Sequence, residues 1–146
     1  MNPFTLDELC ERVSALFGLD ERDALALGFP AVIADVEVEL ICPGWEAGRV
    51  TAVLELGTLA EGRREACFMK ALQLQGQLQL AMWAHFVIDP VNDRLMWCVN
   101  VPLHADADPQ SVADLIRCLV EQVHAWRTGA FDGLLSAEQS SEAAGS

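Results

Sequence analysis

The strongest constraint on this chain is a two-residue period that recurs in adjacent segments. From Ile33 to Cys42, polar and apolar residues alternate. Ala34, Val36, Val38, Leu40 and Cys42 fall on one side, and Asp35, Glu37 and Glu39 on the other. That period predicts one strand with a single buried face. Pro43 to Gly48 has the composition of a turn. Val50, Ala52, Leu54 and Leu56 then alternate with Arg49, Thr51, Val53 and Glu55. The connection is too short for a parallel crossover, so the two runs predict an antiparallel hairpin. A second pair follows, with a strand over Trp83–Ile88, a turn over Asp89–Asp93 and a strand over Arg94–Leu103. Leu95, Trp97, Val99 and Val101 share one face of the last strand, while Met96 and Cys98 make the other face apolar too. A strand apolar on both faces belongs in the middle of a sheet.

Helical periods surround these hairpins. Thr5 and Glu8 form a capping box, and Leu6, Leu9, Val13, Leu16 and Phe17 follow at helical spacing until Gly18. This predicts a first helix over 6–17, with 19–30 as a connector ending in Gly28-Phe29-Pro30. Ala66, Phe68, Met69, Leu72 and Gly76 give a second helix from Arg63 an interrupted stripe. Its end is ambiguous, because Leu72, Leu74, Leu78 and Leu80 alternate with glutamines at strand period. Gln, Leu, Met and Ala are good helix formers, so the helix is expected to end between Gly76 and Ala81. Asp108 and Pro109 are placed to open a third helix, with a stripe of Val112, Leu115, Ile116, Leu119, Val123 and Trp126 and with Gly129 past its end.

The order α-β-β-α-β-β-α predicts an α+β fold. The sheet is antiparallel, and the first and third helices pack on one face. The second helix is left to pack on its own sheet or on that of a second copy. Residues 1–135 read as one domain, and 136–146 as a polar, disordered tail.

Composition narrows the function. The chain has 146 residues and a formal net charge of −13 at pH 7. That balance argues against nucleic acid and against an anionic membrane surface, both of which select clustered Lys and Arg. A hydrophobic fraction of 52% and a mean hydropathy of +0.24 rule out intrinsic disorder. The longest apolar run, Leu80–Ile88, is too short for a membrane span, and no basic leader precedes it, so a cytoplasmic setting is expected. An apolar surplus in so small and charged a chain suggests that part of it is buried against another chain. Cys10, Cys42, Cys67, Cys98 and Cys118 form no CxxC, and His85, His104 and His124 stand apart. The cysteines read as reduced, small apolar side chains. No phosphate-loop, dinucleotide or nucleophile-elbow motif occurs. No catalytic residue, metal or cofactor is therefore assigned.

The segments ALQLQGQLQLAMWAHFVID, FVIDPVNDRLMWCVNVPL and DPQSVADLIRCLVEQVHAW, together with the order of elements, resemble the class I chaperones of bacterial type III secretion. Within that class the resemblance is to the Tir-chaperone-like group and the DspF/AvrF-type chaperones of plant pathogens. Gln75 stands where that family often has Asn near the end of the second helix. The resemblance covers most of residues 5–127 and lies in hydrophobicity and turns rather than in an invariant motif. It implies a cytosolic homodimer without ATPase activity. Each such dimer holds an extended segment near the N-terminus of a secreted effector, in apolar grooves and often with an added β-strand, and keeps it competent for secretion.

On this reading the groove candidates are Leu9, Val13, Phe17, Val36, Val38 and Leu40, and for any one of them plain core packing is the favoured alternative. Phe68, Leu72 and Trp97 are the candidates for the dimer contact, again with core packing as the other option. Trp45, in its turn, is either a partner anchor or folded back on the sheet. Asp35, Glu37 and Glu39 form a solvated strand face or a docking patch for Arg and Lys of a partner. Two other functions fit the same composition. One is an enzyme using Cys67 or Cys98 with a distant His; the other is a small dimeric regulatory or small-molecule-binding domain unrelated to secretion.

Overall fold

A computed structural model describes residues 5–41, 49–78, 84–102 and 108–136. The elements are α1 (Leu6–Leu16), β1 (Ala31–Ile33), β2 (Val36–Ile41), β3 (Arg49–Thr58), α2 (Arg64–Leu78), β4 (Ala84–Asp89), β5 (Arg94–Pro102) and α3 (Pro109–Thr128). The five strands form one antiparallel sheet in the order β1-β2-β3-β5-β4. The α+β class, the antiparallel sheet and the interior place of β5 follow the sequence reading.

Local chemistry sets the helix ends. The Glu8 backbone N–H donates to Thr5 Oγ1 at 3.1 Å, and the Thr5 N–H donates to Glu8 Oε2 at 3.3 Å, completing the capping box. Asp108 caps α3 by accepting from the Ser111 N–H at 2.8 Å, with Pro109 opening the helix. The second helix stops at Leu78, inside the expected window. There the Phe86 N–H of edge strand β4 donates to Gln75 Oε1 at 3.0 Å, so a side chain of α2 occupies a donor that another strand would otherwise seek.

The sequence predicts one strand over Ile33–Cys42, but two are found. Ala34 and Asp35 adopt left-handed backbone angles, φ 48° and 67°, and Ile33 pairs with Val36 across a two-residue reversal. Asp35 therefore sits at a turn tip and not on a strand face. The reversal is held from above by α3. His124 Nε2 lies 2.5 Å from the Ala34 carbonyl oxygen, and Arg127 Nη1 donates to the Asp35 carbonyl at 2.9 Å. Cys42 and the turn after it lie outside the described residues.

The core fills one side of the sheet. Val36, Val38, Leu54, Leu95, Trp97 and Val99 meet Val112, Ile116, Leu119 and Val123 of α3, with Leu9 and Val13 of α1 alongside. Trp97 packs edge-on against Trp126 with ring centroids 4.7 Å apart, and Phe86 joins both Trp126 and Phe131. The connector contributes as well, since Leu25 is fully buried. After α3 the chain turns at Gly129, buries Phe131 and returns to the end of β3. The Ser136 N–H donates to the Thr58 carbonyl at 2.7 Å, beside a bridge between Leu59 and Leu135. Residues 137–146 lie outside the described ones.

Candidate functional site

The sequence candidates separate by burial. Leu9, Val13, Val36, Val38 and Leu40 are all buried in the protomer. Their apolar row faces α1 and α3 and offers no surface to a partner, so core packing accounts for them. Trp97 is 1% exposed and stands at the centre of the aromatic cluster, so it too is core rather than a contact between copies. Phe17 is half-buried at the end of α1, with the Arg117 guanidinium 5.0 Å from its ring centroid. Trp45 lies outside the described residues.

Two groups of exposed apolar side chains stand out among the described residues. On α2, Leu72 is 69% exposed and Met69 is exposed beside it. Phe68 is half-buried under Arg64, and Arg64 in turn pairs with Asp93. On the opposite side of the molecule by strand order, edge strand β1 carries Val32, 60% exposed, and the connector leading into it exposes Leu27 and Phe29. The sequence reading passed over these three. Their signal was Phe29 between Gly28 and Pro30, a large apolar side chain in a segment with no periodic partner.

Charge gathers on the face of the sheet away from α3. Arg94 holds Glu55 in a two-pronged pair, Nε to Oε1 at 2.9 Å and Nη2 to Oε2 at 2.8 Å, and Nη2 also reaches Glu37 Oε2 at 2.7 Å. Glu55 is only 3% exposed. Glu37 is raised from its ordinary 4.5 to about 7, chiefly by its hydrogen bond with Glu55, then by burial and repulsion from Glu55; Arg94 opposes this. One guanidinium thus serves two carboxylates, which share a proton near neutral pH.

Two of the thiols are set against nucleophilic chemistry. Burial pushes the Cys67 thiol up to about 11 and raises Cys98 as well, away from the thiolate that nucleophilic chemistry requires. Among the described residues no group of three or more His, Cys, Asp or Glu is placed to hold a metal ion. No described helix is long and apolar enough to cross a membrane.

The described residues thus define an α+β domain in which three helices accompany one five-stranded antiparallel sheet, with α3 packed on β3 and α2 along β4. No family profile and no curated protein matches the sequence. Solved structures do share the fold. A chain in the crystal structure of the ExsC-ExsE complex superposes with a TM-score of 0.67 at 15% identity, covering 89% of this chain and 97% of that one. A chain in the HopA1-SchA chaperone-effector complex gives a TM-score of 0.55 at 14% identity, covering 83% of this chain and 91% of that one. At such identities the likeness is one of fold.

Proposed function

We propose that this chain is a type III secretion chaperone of the bacterial cytoplasm, a homodimer that binds an extended segment of a secreted effector and catalyses no reaction. The observation that carries the reading is the match of fold, over 83% of this chain and 91% of the other, to a protein solved in a chaperone-effector complex. It agrees with the resemblance of the sequence segments and with Cys67 and Cys98, whose burial holds them away from the thiolate form. The buried state of Val36, Val38 and Leu40 moves the effector contact outward, to Leu27, Phe29 and Val32 beside the β1 edge, with Phe17 at the end of α1. The outer side of β1 offers backbone donors and acceptors for an added strand, and these exposed side chains offer apolar contacts next to it. The dimer contact is assigned to α2, through Phe68, Met69 and Leu72.

The test is co-purification from the native cell followed by limited proteolysis of the complex. The expected product is one protected segment near the N-terminus of a secreted protein, with the rest of that protein cut as in its free form. Recovery without a protein partner and with a tightly held metabolite would instead support a small-molecule-binding domain.

A further inference from the structure

The outer edge of β4 is closed by the protomer's own second helix. The Phe86 N–H, which points away from β5, donates to Gln75 Oε1 at 3.0 Å. In an antiparallel edge strand alternate residues turn their N–H and C=O outward, so Ala84 and Ile88 face the same side as Phe86. Gln75 thus fills the middle of three positions at which another strand would pair. The helix and the strand run in opposite directions, since Arg64 at the start of α2 pairs with Asp93 beyond the end of β4.

The strength of attachment differs between the two ends of α2. Its start is tied through the backbone, with the Arg63 N–H on the Ala60 carbonyl at 3.0 Å and the Leu59 N–H on the Asp93 carbonyl at 2.8 Å. Along its length Cys67 and Ala71 are buried, far less than α3 buries, while Met69 and Leu72 face solvent. At the far end Gln75 stands next to Gly76, and glycine inside a helix weakens it relative to alanine. Nothing steric requires that glycine. A Cβ built there meets no neighbouring atom within 4 Å, and its φ is not positive. A weak turn therefore sits beside the clasp. β4 is held independently of α2, because the Phe86 ring packs on Trp126 and Phe131 in the core.

We propose that α2 is a releasable strap over the β4 edge, with Gln75 as its clasp and Gly76 as the point at which its last turn opens. Closed, it leaves β1 as the edge that accepts a strand. Opened, it frees the Phe86 N–H and the outward groups beside it to pair with β4 of a second copy. The second copy is the occupant because Met69 and Leu72, assigned above to the dimer contact, lie on the strap itself, so the partner protomer is already at this edge. Two β4 strands also form an isologous antiparallel pair, and Phe86, Val87 and Ile88 are residue types that favour it. The pairing rests on that dimer assignment; the release of the strap depends only on contacts within one protomer.

The experiment follows amide hydrogen exchange residue by residue in the full chain, with light scattering over a range of concentrations. The variants are Gln75→Leu, Gln75→Glu and Gly76→Ala, each first shown by melting to be folded. Trp97, on interior strand β5, reports global unfolding. In Gln75→Leu the Phe86 amide is expected to exchange about fivefold faster, the effect of one lost hydrogen bond, and the mass to climb above that of wild type as concentration rises. Gln75→Glu keeps an acceptor and is expected to restore both readouts. Gly76→Ala strengthens the last turn and is expected to slow Phe86 about fivefold. Trp97 should exchange alike in all four proteins. An unchanged Phe86 amide in Gln75→Leu, Phe86 and Trp97 shifting together, or a mass that does not respond would overturn the inference. Loss of the dimer in Gly76→Ala would overturn it too, since the glycine would then serve the close approach of two helices. If wild type stays at 15.9 kDa at every concentration while Phe86 responds as expected, the strap stands and the dimer contact on α2 falls.

Discussion

Arg127 is the residue whose removal should most directly expose how this fold is held together. It lies in the last turn of α3, and its guanidinium donates to three backbone carbonyls. These are Leu56 through Nε at 2.7 Å, Asp35 through Nη1 at 2.9 Å, and Glu55 through Nη2 at 2.9 Å. One side chain therefore ties α3 to the β1–β2 reversal and to the irregular stretch of β3 between Glu55 and Gly57. The substitution to make is Arg127→Met, which keeps the length of the stem and removes only the donors. Asp35 is exposed, so water can replace its lost bond at little cost. Residues Glu55 and Leu56 are buried, and carbonyls left unpaired there cost about 1–3 kcal/mol each. The sum is about 3 kcal/mol after the non-additivity of neighbouring bonds, a substantial part of the roughly 5–15 kcal/mol that holds a domain. Arg127→Lys keeps the charge but offers one ammonium where three directions are needed, so it should recover less than half of the loss. Urea unfolding followed by tryptophan fluorescence measures all three proteins, since Trp97 and Trp126 report the core directly. An Arg127→Met protein within about 0.5 kcal/mol of wild type would refute the argument, because that is the range of an ordinary surface change.

Three further outcomes are expected. Glu37 is raised in the folded chain, so the stability it contributes is fully present below about pH 4.5 and is lost as pH rises through about 7. Glu37→Gln, which mimics the protonated form, should therefore gain on wild type by roughly 1 kcal/mol between mildly acidic and mildly alkaline melts, a figure already reduced for its partial exposure; a constant difference would refute this. In Gly129→Ala the new methyl carbon would stand 2.8 Å from the Ala125 carbonyl oxygen, so the turn must shift and the melting temperature should fall by several degrees; an unchanged melt would show that the turn yields freely. Leu72→Asp should leave the melting temperature of the protomer nearly unchanged while light scattering moves from about twice 15.9 kDa toward 15.9 kDa; a variant that stays dimeric would remove α2 from the interface.

What was legible in the sequence was local. The caps at Thr5 and Asp108, the stop of α2 within its window and the pairing of the second hairpin all depend on residues a few positions apart. The β1–β2 reversal was legible too, but in a form that simple alternation hides. Ala31 and Ile33 are buried at odd positions, and Val36, Val38 and Leu40 at even ones. The phase of the period slips by one across Ala34 and Asp35, which a single strand cannot do and a two-residue turn must do. Ala-Asp lacks the Asn-Gly signature of such turns, and the groups that hold it, His124 and Arg127, are 90 or more positions away.

Periodicity also says which face of an element is apolar, but not what covers that face. Val13 and Val38 fit either a groove or a core from the sequence, because their rows are continuous. In the structure α3 closes over the sheet, and the continuity is that of a core. Leu72 and Val32 belong to weaker patterns, an interrupted helical stripe and a three-residue strand, yet they are the ones left at the surface. The inversion has a physical basis. A long unbroken stripe is what one large element needs to bury another, and the protomer claims it first. Apolar groups in short or broken patterns are too few to close a core by themselves and remain available to a second chain. An aspartate at Val38 should therefore unfold the protomer, and an aspartate at Val32 should leave it folded and impair partner binding. The opposite pair of results would return the contact surface to the inner face of the sheet.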